Sequence, residues 1–472
     1  MNNRLDIENL LNLEKKDLIN KWCFMHNKYE EIEYKKYYHR TEIKHVNFIQ
    51  EIKEELIEKL GIIPVYVFLT DYFYKLEFPG AYYHVDKGLL IIYHLLSGLS
   101  INKMDKFINY TMYFKIYKRF YSYYNKELKE WLNKMLNSNF FTNNIIRLLY
   151  AKLNNPIKIK NVTCYIDGYD SRIAYQDLRF DKKRLFSHKF KKSGFRTQFL
   201  IDINRFIIFV SPSVPCNDYT DGQMFQNIKL EKYITQTDCL LLDGGYPLYI
   251  EKLIDLLDSR GSDINQESFI YPFRKPNNEE LSENQLQFNI EINSLRSDIE
   301  SFFAEFTRLF LRFNKSTVIS VTEKEVYNDQ MKLASILYNI KNSIKVYNIN
   351  FENEIYYSYW TEYNFDFKRK HETDNLEFIL EPQFYNKQEH LDNKNKYQDN
   401  YISELIFKKL NINNNSMILD DNIYEVEKII NHRKFNNKYK YLIKWVGYEQ
   451  ETWEIEDNII DKECVIDYWN GI

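Results

Sequence analysis

The chain has 472 residues and a mass of 57.6 kDa, with 44% hydrophobic and 28% charged residues; this is apolar material for two or three folded domains and excludes global disorder. Only 12 Gly and 9 Pro exclude collagen-like and proline-rich classes. Lys and Arg number 64 against 67 Asp and Glu, a net charge of −3, so nucleic-acid binding has to come from local patches rather than a basic body.

The N-terminus, Met1-Asn2-Asn3-Arg4-Leu5-Asp6, carries no secretory pattern. Residues 1–75 mix Lys and Glu with apolar residues at helical spacing, as in Glu51-Ile52-Lys53-Glu54-Glu55-Leu56, and predict solvated helices. Residues 76–150 predict an apolar helix through Leu89–Leu96, a turn at Gly98, a short Ser-capped helix, and a basic-aromatic helix with Lys115, Lys118 and Arg119. That order suits a helix-turn-helix, and equally a plain helical bundle in which Gly98 ends a helix. The apolar stretch Gly88–Ile101 is broken by His94 and too short to span a bilayer, so no membrane role is expected.

From about 158 to 325 the pattern becomes α/β. Val162–Ile166 predicts a strand ending at Asp167-Gly168, and Phe199–Ile203 and Phe206–Val210 predict a hairpin turning at Asn204-Arg205. Cys239–Leu242 predicts a strand buried on both faces that stops at Asp243, and Glu283–Phe313 a long helix. Residues 326–421 predict an extension and polar linker with a short amphipathic helix at Ser403–Leu410; Lys368-Arg369-Lys370-His371 within it reads as a nuclear-localisation patch. Residues 422–472 predict a separate small module of strands and a final helix near Cys464–Trp469. The cysteines (Cys23, Cys164, Cys216, Cys239, Cys464) form no CxxC pair, which fits a reducing, intracellular setting without a zinc finger.

Asp167 and Asp243 at strand ends, with Glu300 on the long helix, are the candidate catalytic and metal-binding residues. Carboxylates so placed hold pairs of hard cations, and the lack of a His/Cys cluster favours Mg²⁺ or Mn²⁺. Asp-Gly also reads as a turn and Glu300 as a solvated helix face. The strings Tyr165-Ile166-Asp167-Gly168, Lys189-Phe190-Lys191-Lys192, Pro215 to Asp221, Asp243-Gly244-Gly245-Tyr246, Tyr271-Pro272-Phe273-Arg274 and Arg296 before Glu300-Ser301-Phe302-Phe303 resemble PIF/Harbinger-type DDE transposases over about 160–315. The resemblance implies a ribonuclease-H-like mixed sheet flanked by helices, metal-dependent DNA cleavage and strand transfer, and Asp167, Asp243 and Glu300 as the acidic triad. Asp298 is a rival third acid, Asp221 matches a further acidic position of structural or supporting character, and Cys216 departs from the family's usual Gly. Between the first two acids, Lys182, Lys183, Arg184, Lys189, Lys191, Lys192 and Arg196 interleave with Phe residues and read as DNA-phosphate contacts or as a solvated hairpin.

The strings Tyr424-Glu425-Val426-Glu427, Lys444-Trp445-Val446-Gly447-Tyr448 and Thr452-Trp453-Glu454 resemble a chromodomain, a three-stranded sheet plus helix. That resemblance implies a methyl-lysine cage of Tyr424, Trp445 and Tyr448, which cation–π attraction suits, and a histone-tail peptide pairing as a strand. Trp453 reads as core, and Glu449-Gln450-Glu451 is a departure that bears on peptide preference. The combined expectation is a nuclear transposase of a eukaryotic mobile element. Its expected partners are element ends and target DNA and a methylated histone tail, with a separate DNA-binding protein and self-association as further partner classes. The alternative is a domesticated or inactive copy that acts as a chromatin-binding protein.

Overall fold

The computed structural model describes residues 4–27, 44–73, 76, 78, 80–174, 181–189, 191–275, 280–320, 323–347, 349–350, 362–363, 385–420, 426–435, 438–446, 451–455, 459 and 463–470. The chain divides into two compact units, Met1–Ser403 and Glu404–Ile472. The basic patch at 368–371 lies outside the described residues.

The larger unit opens with α1 (Arg4–Asn27), α2 (Ile49–Leu60), α3 (Ile62–Val67), α4 (His84–Ser97), α5 (Tyr110–Lys118), α6 (Asn125–Leu136), α7 (Asn139–Thr142) and α8 (Asn144–Asn154). The first helices are half-buried rather than solvated: their apolar stripes face inward, and in α1 even Glu14 and Lys15 are buried. α1 buries Leu10, Leu11, Leu18 and Ile19 and packs on α8, and α2 sets Ile52, Leu56 and Leu60 against α4. α4 is apolar nearly all round and is correspondingly buried. Gly98 ends it at φ 63°, and a Cβ there would lie 2.6 Å from the Leu311 backbone, so glycine serves both the left-handed turn and the close approach. The segment after it is a 3₁₀ helix, Ile101–Lys106, to which the Ser100 side chain makes no cap bond; α5 is instead capped by Asn109, which accepts from Thr111 N at 3.0 Å. Among the described residues no helix is long and apolar enough to cross a membrane.

The sheet follows: β1 (Cys164–Ala174), β2 (Phe186–Ser187), β3 (Lys192–Asp202), β4 (Ile207–Val210), β5 (Val214–Pro215), α9 (Asp221–Gln226), β6 (Leu240–Leu241), α10 (Ile250–Asp258), β7 (Phe269–Ile270), α11 (Glu283–Leu309), β8 (Ile319–Ser320) and α12 (Lys324–Val346). β1 and β3 pair antiparallel from Cys164↔Asp202 to Arg172↔Gly194, β4 continues antiparallel beside β3, and β6 and β7 add parallel on the other side of β1. This is the mixed sheet flanked by helices expected of a ribonuclease-H-like domain. The hairpin turn at Asn204-Arg205 is held by buried Asp202, whose Oδ1 accepts from Asn204 N (2.9 Å) and Phe206 N (2.7 Å), with Arg205 at φ 66°. β1 does not stop at Asp167: it runs seven residues further, because β3 keeps pairing as far as Gly194.

α11 is started by a reciprocal Ser282/Gln285 cap and crosses the sheet. α12 buries Met331, Leu333, Ile336, Leu337 and Ile340, and its Asn339 both accepts from Ile207 N (2.8 Å) and donates to Ile207 O (2.9 Å), completing the outer edge of β4. A small ladder of β9 (Ile349–Asn350) and β10 (Glu362–Tyr363) precedes α13 (Tyr385–Asp420). The short helix expected at Ser403–Leu410 is thus part of one long helix. Its Leu391, Lys394, Gln398 and Ile402 are buried, and two of these four are polar, which hid the stripe from apolar periodicity. Lys394 Nζ donates to Gln236 O (2.7 Å) and Ser268 Oγ (3.0 Å), and Gln398 Nε2 donates to Thr237 O (2.8 Å) and Asn161 O (3.3 Å). These acceptors precede β6, β7 and β1, so α13 stitches together the starts of the strands.

In the smaller unit β11 (Val426–Phe435), β12 (Lys438–Trp445) and β13 (Thr452–Ile455) form a three-stranded antiparallel sheet with α14 (Glu463–Asn470). Tyr441, Ile443, Ile459 and Val465 make its core.

Arg147 on α8 and Asp238 before β6 are both fully buried, paired at 2.9 Å, and Asp238 also accepts from Thr163 Oγ1 (2.8 Å) ahead of β1. Arg147→Met leaves that carboxylate uncompensated and is expected to cost about 3–5 kcal/mol. Arg4→Met, which breaks an exposed pair with Glu8 (2.7 Å), is expected to cost under about 1 kcal/mol. Urea midpoints of the full-length chain read the difference, and equal shifts for the two variants contradict it.

Candidate active site

Asp167 sits on β1 opposite Phe199 of β3, and its Oδ1 accepts from Gly168 N at 2.7 Å. Asp243 follows β6, the parallel neighbour of β1, and the register Tyr165↔Leu241 brings both carboxylates to the same level of the sheet. Asp167, Asp243, Arg296 and Ile299 line one small crevice there. The glycine after Asp167 is not a turn residue but lies inside β1: a Cβ at Gly168 would fall 2.2 Å from Asp221 Oδ1. Its absence admits the carboxylate at the head of α9, which the Thr220/Gln223 reciprocal cap starts.

The crowding of acids is balanced by cations from three elements. Lys189 Nζ lies 3.8 Å from Asp167 Oδ1 and 3.6 Å from Asp221 Oδ2, and donates to Gly168 O at 3.0 Å. Arg196 Nε is 2.7 Å from Asp170 and 3.3 Å from Asp221, and Arg296 Nη2 is 3.2 Å from Asp243 Oδ2. Burial pushes the Asp167 carboxyl above its ordinary range, with Asp221 and Asp243 adding to the rise and Lys189 opposing it. Burial works against the Lys189 ammonium, but Asp167, Asp221 and Asp170 outweigh it and hold its pKa above that of an ordinary lysine. Tyr246, buried beside these acids, is kept neutral by burial and donates no charge to the site.

On α11, Arg296 touches Asp243, Ile299 lines the crevice, and Phe303 packs on Tyr169 (5.3 Å) and Phe199 (5.5 Å). Glu300 lies between these contacts along the helix and is exposed. Asp298 belongs to another stripe, 3.6 Å from Arg205, which also holds Glu305 at 2.9 Å. Among the described residues no three acidic, His or Cys side chains converge closely enough to hold a metal ion in this arrangement. The donor set itself suits a hard divalent cation, because it is all oxygen; Asp221 Oδ1 is already charge-paired, with Arg196 Nε at 3.3 Å.

The basic stretch divides. Lys182, Lys183, Lys191 and Lys192 are exposed around β2 and the start of β3, with Lys191 at φ 56°. Arg184 is exposed but paired with Asp218 at 2.5 Å. Arg196, expected among the phosphate contacts, is instead 8% exposed and turned inward, its guanidinium engaged by Asp170 and Asp221. Lys189 also lies beside the acids, but its side chain is 46% exposed. The register of β3 on β1 sets Arg196 directly opposite Asp170, a fact that a count of basic residues does not weigh. Of the cage residues, Tyr424 and Tyr448 lie outside the described residues. Trp445 closes β12 opposite Val426 and donates Nε1–H to Thr452 Oγ1 at 2.9 Å, while Trp453 is half-buried under the Arg433 guanidinium at 4.3 Å.

Because the folded Asp167 binds its proton more tightly than the unfolded carboxyl does, its charge costs stability at neutral pH. That cost is full above the raised pKa and disappears below the ordinary carboxyl value of about 3.9. Asp167→Asn is therefore expected to raise the thermal midpoint of the metal-free protein at pH 7, with the gain fading in acid; a lower midpoint at pH 7 contradicts it.

Residues 166–339 match the family model described as DDE superfamily endonuclease, and residues 424–471 match the chromo (chromatin organisation modifier) domain. The chain is 43% identical over 53 residues to Chromodomain Y-like protein 2 of Mus musculus, covering 11% of this chain and 10% of that protein. It is 43% identical over 49 residues to Chromatin-associated protein SWI6 of Cryptococcus neoformans, covering 10% of this chain and 22% of that protein. The chain thus spans about a tenth to a fifth of the length of these relatives. No solved structure matches it. The chain carries a DDE superfamily endonuclease domain, built on the sheet that gathers Asp167 and Asp243, followed by a chromo domain.

Proposed function

We propose that this protein is a DNA transposase that works on chromatin, cutting and joining DNA with Asp167, Asp243 and Glu300 and binding a methylated histone tail through Tyr424, Trp445 and Tyr448. The observation that carries the reading is the meeting of Asp167 and Asp243 in one crevice under α11, in a chain that also holds a chromo domain. Asp167, Asp243 and Glu300 would hold Mg²⁺ or Mn²⁺, which when bound would supply Lewis acidity toward a phosphodiester and lower the pKa of an attacking water or 3′-hydroxyl. The protein's own groups do the positioning. Lys189 and Arg296 keep the two aspartates at the crevice, while buried Ile166, Leu242 and Ile299 form dry walls that strengthen the electrostatics there. Lys182, Lys183, Lys191 and Lys192 offer exposed charge to a DNA backbone. Action on chromatin places the protein in the nucleus.

The test is nicking of supercoiled plasmid by the purified chain with Mn²⁺. Asp243→Asn is expected to lower the rate more than about 100-fold, beyond the usual cost of changes around metal ligands. No nicking by a folded wild-type chain overturns the nuclease reading and favours a copy that only binds chromatin. Separately, Trp445→Ala is expected to weaken binding of a trimethyl-lysine histone-tail peptide about tenfold while nicking is unchanged; unaltered peptide binding contradicts the cage.

A further inference from the structure

A groove of about 1000 Å³ opens along α5 and the π-helical turn Arg119–Tyr123 that follows it, well apart in sequence from the acids of the crevice. Among the described residues that line it there are four cations and no carboxylate. Lys115 and Lys118 are exposed and form no ion pair among the described residues. Arg119 is half-buried, its Nε is enclosed without a hydrogen-bond acceptor, and its guanidinium lies 5.0 Å from the Tyr123 ring. At the groove floor Lys87 donates to Phe78 O at 2.9 Å, and burial together with the Arg119 charge lowers its pKa to about 8. Lys115, Lys118 and the half-buried Arg119 guanidinium thus line the groove with positive charge that no lining carboxylate neutralises, which makes a site for an anion.

The rings define which anion. Tyr123 is 70% exposed and Phe114 41% exposed, and Phe114 stacks on Tyr110 at 16°. Such rings are costly to leave in water and offer flat faces beside the cations. An acidic peptide answers the charge but not the rings, whereas an unpaired nucleotide strand answers both. Duplex DNA is a poor fit, because a major-groove reader must protrude, and here Thr111, Phe114, Lys115 and Lys118, the outward residues of α5, form the wall of a concavity. We infer that this groove binds single-stranded DNA, with phosphates on Lys115, Lys118 and Arg119 and bases stacked on Phe114 and Tyr123. The inference stands apart from the nuclease reading, since it needs neither metal nor cleavage.

The test measures binding of a labelled oligothymidylate of about 15 nucleotides and of a duplex of equal length to the full chain in EDTA, by fluorescence anisotropy. Tyr123→Ala, which removes an exposed ring, is expected to weaken oligothymidylate binding about tenfold and to leave duplex binding within about twofold. Lys115→Gln is expected to reduce the slope of log affinity against log salt by about 0.7 for the single strand. Photocrosslinking of a 4-thiothymidine oligonucleotide is expected to mark residues 110–124. Crosslinks confined to 181–196, an equal loss of both ligands in Tyr123→Ala, or no loss of either overturns the proposal. Displacement of the oligonucleotide by an oligoglutamate peptide that Tyr123→Ala does not weaken overturns it in favour of an acidic-peptide site.

Discussion

Carboxylate crowding is the constraint around which the catalytic unit is arranged. Asp167, Asp170, Asp221 and Asp243 are brought to one region of the sheet, and anions so placed are held only because Lys189, Arg196 and Arg296 are threaded among them. The three cations come from three different elements, the β2–β3 connection, β3 and α11, so the charge balance exists only when those elements are packed. Gly168 is the steric counterpart of that balance. Any side chain there collides with Asp221, and the cluster loses one of its members.

The parallel strands that position Asp243 are very short, two residues each, so their ladders contribute few hydrogen bonds. They are fixed from behind. Arg147 and Asp238 tie α8 to the start of β6, and Lys394 and Gln398 of α13 gather the segments before β1, β6 and β7. These ties are polar and buried, so each depends on its partner for the full desolvation energy. The acids at one end of the sheet therefore rest on a stitched base at the other.

The smaller unit has its own core of Tyr441, Ile443, Ile459 and Val465, which makes it an independent carrier of Trp445. Its rings Tyr439, Tyr441, Tyr468 and Trp469 pack against one another, and the larger unit uses most of its rings in the same way. There, rings such as Phe199, Phe302 and Phe306 pack against one another as filler. Phe114 and Tyr123 stand outside that core, which is why the α5 groove stands out in a chain otherwise so rich in aromatic residues.

By itself the sequence determined the mixed sheet, the hairpin turning at Asn204-Arg205, the small three-stranded module, and Asp167 and Asp243 as acids beside apolar strands. Each rests on local pattern: alternation, short apolar runs, and ordered strings of side chains. Tertiary structure alone decided where long-range partners fall. Arg196 reads like its basic neighbours, but the face of β3 turns it onto Asp170 and Asp221. Asp298 and Glu300 are two residues apart, yet the helix gives Asp298 to Arg205 and leaves Glu300 exposed between Arg296 and Phe303. α13 reads as linker because Lys394 and Gln398 fill buried positions that hydrophobicity assigns to solvent. In each case the deciding energy is a buried pairing between residues distant in the chain, and a pairing of that kind leaves no periodic trace in the sequence.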